Sequence, residues 1–134
     1  MTQLENEQIA RRYIEHVIGQ GDTTVAREIL DENLIVYTPI TQPIRGREAY
    51  LAFAASFGTS FENLSVTLDD AFGCEDRAVA RFTATGTHTQ TFRGAAPTGK
   101  HMVIGEVHVL RISNGKIVED YVADTTPDLA RLTV

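Results

Sequence analysis

Near the N-terminus the apolar positions fall at helical spacing. Ile9, Tyr13 and Val17 stand four residues apart with Ile14 and Ile18 beside them, so one stripe of a helix is apolar. Thr2 followed by Glu5 has the form of a capping box at its start, and Gly19 and Gly21 mark its end. A short helix with Val25, Ile29 and Leu30 on one side follows. The run NLIVYTP reads as a strand that Pro39 stops. TQPIRG reads as a loop. A third helix is predicted from about Arg47 to Phe57, with Tyr50, Leu51, Ala54 and Phe57 as its stripe.

After Phe61 the period drops to that of strands. Leu64, Val66 and Leu68 alternate with polar neighbours, and GCEDR makes a turn. AVARFTATGTHTQTF is a long β segment rich in Thr and Phe, and RGAAPTGK is a Gly/Pro loop. HMVIGEVHVLRI and KIVEDYVAD are two further strands joined through Asn114-Gly115. TPDLARL is expected to form a terminal helical turn. Helices first and strands later indicate an α+β fold, with helices on one face of an antiparallel sheet.

Composition narrows the function classes. The 134 residues fit one domain, 1–134, long enough for a core without disulfide staples. A net charge of −6 lacks the basic footprint that nucleic acid needs. The single cysteine, Cys74, rules out an internal disulfide and a cysteine-based metal cluster, and reads as incidental. No apolar run approaches membrane-spanning length. MTQLENEQ has neither a basic n-region nor an apolar h-region, so a cytoplasmic protein without membrane or nucleic-acid partners is expected.

The order of elements, with the stretches IRGREAYLAFAASF, GTHTQTFRGAAPTGK and RISNGKIVEDYVAD, resembles the SnoaL-like polyketide cyclases of the nuclear-transport-factor-two-like superfamily. Tyr121 departs from the Trp that many members carry, and keeps its bulk. The resemblance implies a cone-shaped, barrel-like α+β fold. A curved, mostly antiparallel sheet would wrap against about three helices around a deep apolar pocket. It also implies cofactor-independent and metal-free acid/base chemistry on a hydrophobic carbonyl substrate, with aldol cyclisation of a polyketide-like compound the leading case. A ketosteroid-isomerase-like double-bond shift and non-catalytic small-molecule binding are the alternatives, because the superfamily hosts many activities. Related domains often pair through the outer sheet face, so a homodimer is expected. By the same resemblance Asp124 matches the acidic residue at the end of the last strand, the general acid/base of the cyclases.

Asp124 needs a partner, and His108 is the candidate. His108 shares parity with Met102, Ile104, Leu110 and Ile112 on an apolar strand face broken by Glu106. A two-residue turn at Asn114-Gly115 would place His108 and Asp124 on opposite faces unless a bulge intervened. A three-residue loop, Ser113 to Gly115 with a bulge, would set His108 against Asp120 and Asp124 against Ile104, on one face with Leu110, Val118 and Val122. The pocket histidine of the cyclases favours the second. Apolar neighbours would then raise the pKa of Asp124 and keep His108 from charging.

Further substrate contacts are expected from Leu110 and Val122, from Tyr37 as a donor to a carbonyl, and from Arg81, for which a solvated place on the outer face is the alternative. Related limonene epoxide hydrolases carry Arg-x-Asp. Arg81-Phe82-Thr83 lacks the Asp, which speaks against epoxide opening. His88 is expected to hold its strand end by hydrogen bonds. His16 and His101 have no ligand partner at metal spacing. Of the adjacent Glu119 and Asp120, at most one faces the pocket; the other is solvated or paired with an arginine.

Overall fold

The computed structural model describes residues 2–92 and 94–125. The first helix, α1 (Gln3–Arg12), is capped by Thr2, whose hydroxyl accepts from the Glu5 N–H at 3.1 Å. It does not continue as one α-helix to Gly19. From Tyr13 to Ile18 it widens into a π-helical turn. Residues spaced by four drift around a 3.6-residue helix, and the wider turn takes up that drift. Tyr13, Ile14 and Val17 all stay buried. Helix α2 (Thr23–Ile29) is capped by the Asp22 carboxylate, which accepts from the Val25 N–H. It passes directly into β1 (Leu30–Tyr37). The segment read as a loop contains a short strand, β2 (Ile44–Arg45), before α3 (Arg47–Ser60).

The remaining strands are β3 (Phe61–Cys74), β4 (Arg77–His88), β5 (His101–Ser113) and β6 (Lys116–Asp124). They lie in one sheet in the order β2-β1-β6-β5-β4-β3. Among the described strands only β1 and β6 run parallel; the other pairs are antiparallel. The α+β expectation of a mostly antiparallel sheet therefore holds, the one parallel pair making the sheet mixed. The sheet curves as a cone but is open, with β2 and β3 at its edges, so it is not a closed barrel. Register shifts between β3 and β4, between β5 and β6 and between β1 and β6 mark bulges, which bend the strands that carry them.

The concave face of β4 carries small side chains at Ala78, Ala80 and Ala84, all buried, which lets α1 lie close. At Gly73 the approach is tight: a Cβ there would fall inside contact distance of the Gln3 carbonyl oxygen. The β4–β5 register, which the Gly/Pro loop hid from sequence reasoning, pairs Thr87 with His101 and Ala80 with His108. His88 ties that loop down. Its Nδ1 lies 3.0 Å from the Thr98 hydroxyl, and its backbone N–H donates to Lys100. Among the described residues no helix is long and apolar enough to cross a membrane. The expected terminal turn TPDLARL lies outside the described residues.

Candidate active site

The β5–β6 hairpin closes on a two-residue turn, not the three-residue loop expected from the resemblance. Asn114 (φ 52°) and Gly115 (φ 76°) are both left-handed, and Ser113 pairs with Lys116. Asn-Gly suits this turn because two consecutive positive φ angles cost these residues least. One extra residue then enters β6: Ile112 pairs with Ile117, but Arg111 pairs with Glu119. That bulge restores the parity the turn had reversed. His108 and Asp124 share the concave face after all, with His108 opposite Val122 and Asp124 opposite Glu106.

A buried network grows from this register. Asp120 stands opposite Leu110, so it is a diagonal neighbour of His108 on the same face. His108 Nδ1 lies 2.8 Å from Asp120 Oδ2, and Nε2 lies 2.9 Å from Glu106 Oε1. A neutral imidazole donates from one nitrogen only, whereas two carboxylates call for both. Tyr13, at the start of the π-helical turn, places its hydroxyl 2.6 Å from Asp120 Oδ2 and 2.6 Å from the Tyr50 hydroxyl. A carboxylate only accepts, so Tyr13 donates to Asp120 and Tyr50 donates to Tyr13. The chain Tyr50–Tyr13–Asp120–His108–Glu106 is continuous. Ring packing fixes the imidazole: Phe82 stacks on it at 5.6 Å, and Tyr13 meets it edge-on at 5.7 Å.

Its electrostatics reverse one expectation. Burial pushes the His108 imidazole down, but the charge and hydrogen bond of Asp120, then those of Glu106, outweigh it and lift the pKa to about 10. His108 is therefore charged at neutral pH, because its surroundings are carboxylates and not apolar groups alone. Tyr13 and Tyr50 are raised above the ordinary phenol value, first by burial and then by the charge of Asp120. Both remain neutral donors.

The two ends of the chain open on a cavity of about 540 Å³ between α3 and the sheet. Phe53, Phe57, Phe82 and Phe92 give it apolar walls, and Tyr50 and Glu106 stand among them. Glu106 is the one carboxylate among the described lining residues. An apolar chamber with a few convergent polar groups is the usual form of a small-molecule site. His108, Leu110 and Asp120 lie behind the wall, at 2%, 0% and 0% exposure.

Other candidates from the sequence are placed elsewhere. Tyr37 stacks on Tyr121 with ring centroids 4.5 Å apart, at paired positions of β1 and β6, away from the described cavity lining. Arg81 is half exposed beside Asp69, at 3.8 Å, on the outer face. Val122 packs against the core, and Asp124, half-buried on the concave face, is not among the cavity-lining residues. Glu119 pairs with Arg111 at 2.9 Å, as one of the two adjacent acids was expected to do. Glu106, Asp120, Tyr13 and Tyr50 were not singled out as chemistry. The available signal was parity: Glu106 shares a strand face with His108, and Asp120 shares one with Val122 and Asp124. Tyr13 and Tyr50 gave none, because each sits in an apolar helical stripe.

Comparison with known proteins bears on this geometry. The family model described as SnoaL-like polyketide cyclase matches residues 7–129. No curated protein matches the chain. Among solved structures, a provisionally assigned SnoaL-like polyketide cyclase from Jannaschia sp. CCS1 superposes with a TM-score of 0.86 at 20% identity, covering 97% of this chain and 92% of that one. TsrD from Streptomyces laurentii gives 0.84 at 23% identity, covering 98% and 96%. IdmH from Streptomyces antibioticus, provisionally assigned as a polyketide cyclase, gives 0.78 at 26% identity, covering 95% and 97%.

Proposed function

Because the chain belongs to the SnoaL-like polyketide cyclase family, we propose that it performs cofactor-independent proton transfer on an apolar carbonyl compound, most simply the aldol cyclisation of a polyketide-like substrate. The observation that carries this reading is the pair of polar groups, Glu106 and Tyr50, facing one apolar chamber from the two ends of a single hydrogen-bonded chain. Glu106 takes a proton from the carbon next to a carbonyl. Tyr50 turns its O–H from Tyr13 to the oxygen that gains charge; Tyr13 loses nothing essential, since its own proton already serves Asp120. Such positioned donors supply much of the rate in enolate chemistry. The enolate carbon then attacks a second carbonyl of the same molecule, forming a C–C bond and an alkoxide, and the proton held on Glu106 passes to that alkoxide. Asp120 and His108 are positioning residues. Asp120 balances the imidazolium charge while Glu106 is protonated, and His108 holds the Glu106 carboxyl in place.

The paired tyrosines also favour a second reading, a double-bond shift in which Glu106 returns the proton to a different carbon. Product analysis separates the two. The working species is proposed to be a homodimer joined through the outer sheet face. The test of the chemistry is hydrogen–deuterium exchange at the α-carbon of 1-tetralone in D₂O, followed by NMR. The protein should accelerate exchange, and Glu106→Gln should remove the acceleration while keeping the fold. Saturable binding with no acceleration would reduce the protein to a binder. Full exchange in Glu106→Gln would remove Glu106 from the mechanism.

A further inference from the structure

A second cavity of about 330 Å³ lies beside the first and shares two wall residues with it, Ile18 and Ala54. Its floor is apolar, from Val17, Leu51 and Leu64, and its rim is polar, with Gln20, Thr23 and Thr59. Helix α3 faces both chambers. Successive residues turn by about 100°, so Tyr50, Phe53 and Phe57 fall on one side of the helix and Leu51 and Gly58 on the next. Ala54 stands on the border. On the other side of the partition, the π-helical turn ends at Ile18, which borders both spaces.

The packing of α3 fits this arrangement. Of its apolar stripe only Tyr50 is fully buried; Leu51, Phe53, Ala54 and Phe57 remain partly exposed. The space beneath them is chamber and not side chain, so their apolar surface is left for a ligand to cover. Gly58 borders the second chamber, and a Cβ added there meets nothing within 4 Å.

We propose that the second chamber is a subsite for an unbranched, uncharged apolar chain carried by the substrate, so that the site is bipartite: a ring-forming carbonyl head lies against Glu106 and Tyr50, and its chain passes the Ile18–Ala54 partition onto the floor of Val17, Leu51 and Leu64. This rests on reading the first cavity as the substrate site. The buried part of the occupant is uncharged because the described floor residues are apolar and offer nothing to pair with a charge, and the Asp22 carboxylate at the rim disfavours an anionic end.

The test compares two probes by calorimetry, 1-tetralone and 2-hexyl-1-tetralone. Burying part of the hexyl chain should make the second bind about tenfold to a hundredfold more tightly to the wild-type protein. Gly58→Leu fills the second chamber from an unobstructed position and should bring the two affinities together. Thr59→Trp, from the rim, is an independent block with the same expected result. Equal affinities in the wild type, or a hexyl preference that survives both blocks, would overturn the subsite. If neither ketone binds the wild type, the reading of the first cavity falls and the subsite falls with it, a result seen before any variant is made.

Discussion

His108 donates to Asp120 across 2.8 Å although neither residue stands opposite the other in the sheet. The contact is diagonal, and it exists because one bulge residue in β6 follows a two-residue turn. With Glu106 on its other nitrogen at 2.9 Å, the imidazole is clamped between two carboxylates at the wall of an apolar chamber.

That clamp sets a pH window. The folded-state pKa of His108, about 10, lies above its ordinary value of 6.5. A group raised on folding stabilises the fold below its unfolded value, and the contribution is lost as pH rises through the folded value. The melting temperature should therefore fall between about pH 6.5 and pH 10. Imidazole ¹⁵N spectra should show both His108 nitrogens protonated at pH 8. A neutral His108 at that pH would contradict the clamp.

Glu106 and Asp124 face each other on adjacent strands but differ in access. Glu106 lines the cavity and Asp124 is not among its lining residues. Glu106→Gln should lower turnover by about two to four orders of magnitude, the usual scale of general acid–base catalysis, and Asp124→Asn by far less. Steady-state rates of the two variants on one substrate decide between them. A larger loss in Asp124→Asn would return the proton transfer to the strand end, where the family resemblance first put it.

Tyr13→Phe removes a hydroxyl that both donates to Asp120 and accepts from Tyr50. The cost to stability should be about 1–3 kcal/mol, since a buried carboxylate loses a donor and Tyr50 loses its acceptor. Urea unfolding measures it. Substrate affinity should change little, because Tyr13 is not among the cavity-lining residues, and a large rise in KM with unchanged stability would argue against the network.

At Gly73 the start of α1 lies so close to β3 that no side chain fits between them. Gly73→Ala drives a methyl group into the Gln3 carbonyl, a backbone atom that cannot swing aside, and should destabilise by about 1–3 kcal/mol, as overpacking usually does. Thermal unfolding at neutral pH would show it. An unchanged midpoint would mean that α1 shifts freely over β3.

Registers across the outer face bring Phe72, Val79, Val109, Tyr121 and Tyr37 into one row over five strands. Phe72, Val109 and Tyr121 are 49%, 37% and 43% exposed, so the row leaves apolar side chains open along the sheet, as interaction surfaces do. The homodimer proposed above would cover this row. Light scattering should give twice the chain mass, and Val109→Asp should give the single chain. A wild-type monomer at micromolar concentration would count against the dimer.

What the sequence determined by itself is the order of the main helices and strands, though not the short strand β2 or the π-helical turn. Periodicity is local: the stripe of Ile9, Tyr13 and Val17 and the alternation of β4 each reflect one buried face, and a face is legible from spacing alone. The parity that puts Glu106 and His108 on one side of β5 was legible for the same reason. Their partners were legible only in part: the expected loop set His108 against Asp120, which does hydrogen-bond to it, but through a register that the structure does not have. Asn114-Gly115 permits more than one hairpin, and the bulge that follows shows only in the pairing of β6 with its neighbours. Tyr13 and Tyr50 look like core tyrosines in any local window; Tyr13 becomes a donor because the π-helical turn brings its hydroxyl to a carboxylate 107 residues along the chain, and Tyr50 because α3 brings its hydroxyl to that of Tyr13. Tertiary structure alone decided the charge of His108, because a buried imidazole is neutral among apolar groups and charged between two carboxylates.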